Sequence, residues 1–230
     1  MKLFRIYTRI FSNGLGGQPF LKYFFAIFII IYLLSVFGCT SSVALKKDTL
    51  LSNQFVSISK NVSMPERMFY QGRNESILGA FGVIGSMAAE SGRKKTSDVI
   101  EYVINKSNID IPQIVHREFE KQLKSTNLFN AIQSDEGNYP ELKLSIRVYG
   151  FGQPQGLSSQ LKPLLGVEGE LVTPDGSVLW KKYDYVTNLN GKTPSHTLEE
   201  YFNDPELIRE AFNTASQIVV SGLIDHMNSK

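Results

Sequence analysis

His116, His196 and His226 are the only imidazoles in the chain, and each stands alone, without a cysteine or a paired acid at metal-ligand spacing. A zinc site needs three or four such donors to converge, so no metal is expected. His116 and Glu120 fall one helical turn apart and read as an exposed polar pair. Ser195 and His196 are adjacent, which turns their side chains apart in an extended segment, and no G-x-S-x-G elbow is present to raise a nucleophile. Gly191-Lys192-Thr193 has the closing residues of a phosphate loop, yet Val186 stands where the first glycine belongs and no apolar helix follows. In GFGQPQG, from Gly150 to Gly156, Gln155 replaces the third glycine of a dinucleotide fingerprint and no helix opens. These residues imply neither an enzyme nor a cofactor. A hydrolase whose nucleophile, base and acid assemble from distant parts of the chain stays open as the alternative.

The remaining reactive group is Cys39, the only cysteine. It cannot form an intramolecular disulfide, and it closes an unusual segment. The sixteen residues from Tyr23 to Gly38 carry no charge, whereas Lys2, Arg5, Arg9 and Lys22 precede them without an acidic residue. As a helix that run is about 24 Å long, short of the ~30 Å hydrocarbon core of a bilayer. A cationic stretch followed by a short apolar run is the pattern of a secretory signal peptide. Val36-Phe37-Gly38-Cys39 resembles the lipobox of bacterial lipoproteins, in which the cysteine receives diacylglycerol on its sulfur and becomes the mature N-terminus. The resemblance implies residues 1–38 as a signal peptide and Cys39 as the lipidation site. Thr40 follows where an aspartate would retain such a protein in the inner membrane, so the same resemblance implies the outer membrane, facing the periplasm. The competing readings are an uncleaved inner-membrane signal anchor and, for Cys39, a buried free thiol.

Removing residues 1–38 leaves 20 basic and 22 acidic residues, so the whole-chain charge of +2 becomes −2 over 192 residues. That length suits one domain with a sizeable core, and the charge balance offers nothing to nucleic acid. Residues 39–53 are polar and lack apolar periodicity, which reads as a flexible tether ahead of a domain over 54–230.

The elements of that domain follow from periodicity. Gln54–Ser59 and Leu128–Gln133 read as short strands, residues 61–76 as loop and Thr96–Asn108 as a short helix. Asp110–Thr126 is helical by the spacing of Ile111, Ile114, Val115, Phe119 and Leu123. From Glu141, Leu142, Leu144, Ile146 and Val148 alternate with Lys143, Ser145, Arg147 and Tyr149, the pattern of a half-buried strand. Leu164–Thr173 and Val178–Leu189 flank Asp175-Gly176, which suits a two-residue type I′ hairpin. That loop sets paired residues to sum to 351, placing Leu171 opposite Trp180, Glu170 opposite Lys181, and Gly169 where it leaves room for the indole. Thr197 with Glu200 forms a capping box, and Pro205 opens a long amphipathic helix to about 228. The expected fold is α+β: a two-layer sandwich with a largely antiparallel sheet of about 4–5 strands, helices on one face and a long C-terminal helix.

With its tether, strands, helices, hairpin and closing helix, the chain resembles bacterial outer-membrane lipoproteins that hang a small α/β domain in the periplasm, such as auxiliary lipoproteins of lipid and lipopolysaccharide transport. The resemblance implies a non-catalytic adaptor that binds a protein or lipid partner in the envelope. Phe69, Tyr70, Tyr149 and Phe151 are the aromatic candidates for a partner surface. An envelope hydrolase remains the competing function.

Ile77–Gly92 is a second apolar stretch, with Gly79, Gly82 and Gly85 at every third position and Ala89 continuing the small-residue surface. About 13 uninterrupted apolar residues are too few to span a bilayer. Such spacing permits close backbone approach, so the segment is either a buried glycine-rich helix or loop, or an element of membrane contact or self-association. In the second case, replacing Gly82 and Gly85 together by Leu is expected to abolish assembly while leaving membrane attachment intact. Oligomer size and envelope fractionation of the double mutant read the two effects separately.

Overall fold

The computed structural model describes residues 42–46, 48–49, 55–72, 95–132, 139–154 and 158–229. In chain order these form β1 (Phe55–Ile58), β2 (Phe69–Gln71), α1 (Thr96–Lys106), α2 (Ile111–Thr126), β3 (Asn130–Ile132), β4 (Glu141–Gly152), β5 (Gln160–Val172), β6 (Val178–Val186), β7 (His196–Thr197), α3 (Leu198–Asn203) and α4 (Glu206–Asn228). The fold is α+β with a long C-terminal helix, as periodicity predicts.

The sheet runs β3-β1-β4-β5-β6, with β2 also on β4 and β7 also on β5. It has more strands than expected and is mixed. Only β4-β5, β5-β6 and β5-β7 are antiparallel; β1-β3, β1-β4 and β2-β4 are parallel. The parallel part has a simple origin. β1 lies beside Glu141 and Leu142, Ser63 accepts from the Ile146 N–H at 2.8 Å, and β2 lies beside Gly150–Gly152. Residues 55–71 thus run along one edge of β4 as an interrupted strand, so part of the stretch expected to be loop is strand β2.

Helix α2 starts where its sequence says, because Asp110 accepts from the Gln113 N–H at 2.9 Å and supplies a missing cap bond. Its five expected apolar residues are all buried. The Gln122 side chain donates to the Gln217 carbonyl, joining α2 to α4, and α4 packs across β5 and β6. Thr197 and Glu200 form the capping box of α3, both bonds present.

Between β5 and β6 the predicted register holds from Leu165–Val186 to Leu171–Trp180. The turn differs: only Gly176 has positive φ (+88°), and its N–H donates to the Thr173 carbonyl. A type I′ turn needs positive φ at Asp175 as well. The loop is therefore wider, and the pairing shifts so that Val172 faces Val178. Trp180 is fully buried, and a Cβ at Gly169 would stand 2.7 Å from its ring.

The stretch expected to be a free tether is held in place early. Val43 and Lys181 exchange two backbone hydrogen bonds, at 2.8 and 3.0 Å, and Leu45 is buried in the core. No described helix is long and apolar enough to cross a membrane.

The Trp180–Gly169 fit yields a paired expectation. Trp180→Ala is expected to cost ~3–5 kcal/mol by leaving a cavity, and Gly169→Ala ~1–3 kcal/mol by overpacking. Urea denaturation of both variants measures these losses.

Candidate functional site

A β-bulge decides which side chains the sheet offers. Ile146 faces Val167 while Val148 faces Gly166, so β4 carries one extra residue, Arg147, against β5. The alternation predicted from sequence ends there. Tyr149 and Phe151, expected to be partner-surface candidates, turn inward instead and are buried at 5% and 0% exposure. Phe151 packs against Tyr201 at 4.9 Å and Phe212 at 5.4 Å between ring centres. Of the four expected aromatics, Phe69 is exposed and Tyr70 is partly buried against the core. Cys39 and the small residues Gly79, Gly82, Gly85 and Ala89 lie outside the described residues.

The face of β4, β5 and β6 turned away from α4 carries charge. Lys143, Ser145, Arg147, Glu168, Glu170, Lys181, Tyr183 and Tyr185 occupy it in register. The Glu168 carboxylate sits between two cations, accepting from the Arg147 guanidinium and lying 3.2 Å from the Lys181 ammonium. Lys181 also donates to Glu170 at 2.5 Å. Burial pushes the Glu168 carboxyl up, but hydrogen bonds and charge from Arg147 and Lys181 outweigh it and hold the group below the usual carboxylate range. Beside this network, Tyr183 and Tyr185 stack with centres 5.9 Å apart and planes 22° apart. Tyr183 leans over Gly166, which has no side chain to block it, and burial pushes its phenol up. Arg147 and Tyr185 remain open to solvent, so both charge and aromatic surface are available to a partner.

A separate cleft of about 730 Å³ opens between the β2 approach and α1, lined in part by Arg67, Lys95, Asp98 and Glu101. Glu101 accepts from the Met68 N–H. Burial, and then the Glu101 charge, push the Tyr149 phenol up to about 12. The lining mixes both signs of charge and so does not select a ligand of one sign.

The three histidines go to different places. His196 lies edge-on to Tyr201 and 4.0 Å from Glu200; His116 has a buried Nε2 with no hydrogen-bond partner; His226 accepts from the Trp180 indole N–H at 3.1 Å. An indole nitrogen only donates, so His226 Nδ1 must be unprotonated. No group of three or more potential metal ligands converges among the described residues. The Trp180–His226 bond joins residues 46 apart in sequence and carried no local signal.

No family model and no curated protein matches the chain. Among solved structures it is similar to the crystal structure of protein XCC0632 from Xanthomonas campestris, of the DUF330 family. The identity is 11% over 80% of this chain and 90% of that one, with a TM-score of 0.39. Similarity of this size carries no argument about function.

Burial lowers the His226 pKa, Lys182 lowers it further, and Asp184 opposes them. The folded state therefore favours neutral imidazole, while the unfolded chain takes up a proton below about pH 6.5. Stability from this group is present above that pH and is lost as pH falls toward the depressed folded value. Urea midpoints of the wild type are expected to drop between about pH 8 and 5.5, and those of His226→Gln to stay flatter over the same window.

Proposed function

We propose that this chain is a lipid-anchored envelope protein of the outer membrane, held at Cys39 and facing the periplasm. Its domain acts as a non-catalytic adaptor, auxiliary to transport or assembly of envelope lipids or proteins. The observation that carries the reading is the lone cysteine at the end of a sixteen-residue uncharged run, placed four residues before the chain joins the sheet edge at Val43. An acylated residue there holds the domain at a membrane, since several acyl chains anchor stably where one is marginal. The adaptor role draws support from the charged sheet face, where Arg147 and Lys143 project to solvent over an internally neutralised network. Opposite charges of that kind select a complementary partner and steer its approach.

Cys39→Ala is expected to accumulate as an uncleaved precursor and to lose outer-membrane recovery in envelope fractionation; normal recovery of that mutant rejects the reading. The adaptor part has its own measurement. Copurification from detergent-solubilised envelopes is expected to weaken when Lys143→Ala and Arg147→Ala are combined, with Cys39 intact.

A further inference from the structure

We propose that the end of β6 at Tyr185, with the following loop at Leu189, rests on the lipid bilayer, a proposal that depends on Cys39 being the lipid anchor. The first ground is the reach of the chain. Val43 lies four residues beyond Cys39, a span of at most about 14 Å when fully extended. Val43 is itself fixed by two backbone bonds to Lys181, so the lipid cannot hold the domain at a distance. The second ground is direction. Val43 pairs antiparallel to β6, so the chain reaches Val43 from the side where β6 ends at Val186. Tyr185 is four residues from Lys181 toward that same end, about 13 Å along a strand.

The third ground is the chemistry found there. Tyr185 is 60% exposed and Leu189 74% exposed, the two highest values among the large apolar side chains of the described residues. Lys192, in the same loop, is also exposed. Tyrosine rings collect at membrane interfaces because they present an apolar body and a polar tip. An aliphatic side chain beside them adds insertion, and a lysine adds attraction to anionic headgroups. Stacking on Tyr183 already orders the Tyr185 ring, so seating it at the interface loses little side-chain freedom. The occupant that fits this surface is the bilayer into which Cys39 inserts.

The test uses the full lipidated chain in vesicles of phosphatidylethanolamine and phosphatidylglycerol, with and without brominated acyl chains that quench bimane. Cys39 carries its lipid on sulfur, so a single introduced thiol takes the probe. Bimane on Tyr185→Cys and on Leu189→Cys is expected to lose roughly half its emission to brominated lipid, as suits a seat in the headgroup and upper acyl region. Bimane on Val178→Cys, an exposed position at the opposite end of β6, is expected to stay unchanged. Unquenched probes at 185 and 189 in a chain that remains vesicle-bound overturn the proposal and leave the anchor standing. Equal quenching at 178 overturns it too, as does shielding at 185 and 189 that depends on protein concentration, the mark of a second copy. A Cys39 that mass spectrometry finds without acyl chains overturns the anchor reading, and this proposal with it.

Discussion

At Arg147, two residues of β4 stand where β5 has one, and the two faces of the sheet follow from that extra residue. Before it, Leu142, Leu144 and Ile146 point into the core; after it, Tyr149 and Phe151 do. Without the bulge, strict alternation would send Phe151 to solvent and remove the ring on which Tyr201 and Phe212 converge. The bulge also leaves Arg147 and Val148 together on the outer face, where Arg147 meets Glu168. Core packing at one end of the strand and the charged surface at its middle therefore share one backbone irregularity.

The outer face is held by electrostatics of small net charge. Arg147, Glu168, Lys181 and Glu170 alternate in sign, and Glu168 is only 8% exposed. A carboxylate so enclosed would be costly alone, and its two cationic partners offset that cost. Lys181 serves twice, since its backbone also fixes Val43. The residue that completes the ion network thus binds the start of the domain to the sheet edge. An edge strand left bare would offer unpaired backbone groups to other chains, and Val43 covers part of that edge.

On the opposite face the sheet and α4 are joined by specific bonds as well as apolar area. Trp180 fills the space that Gly169 leaves and gives its N–H to His226 near the end of the helix. A buried indole N–H without an acceptor would carry a desolvation penalty. The helix is thereby tied in register over β6, which keeps the outer face of that strand, with Tyr183 and Tyr185, turned away from it.

Local rules determined a good part of this protein. The apolar face of α2, the capping box at Thr197 and Glu200, the pairing of Leu171 with Trp180 and the room left by Gly169 all depend on residues close in sequence or related by one hairpin. Side-chain periodicity and turn chemistry specify such relations directly. The charge-free run ending in Cys39 is likewise a property of the sequence. Of the candidate surface, sequence indicated Glu170 opposite Lys181 and exposed Arg147, but not the stacked Tyr183 and Tyr185. Tertiary structure alone decided the burial of Tyr149 and Phe151, the docking of Val43, the parallel run of residues 55–71 beside β4 and the His226 acceptor. Each joins segments far apart in the chain. A strand shows its alternation in its own residues, but a bulge, an edge partner or a buried acceptor exists only once the neighbouring segment is in place.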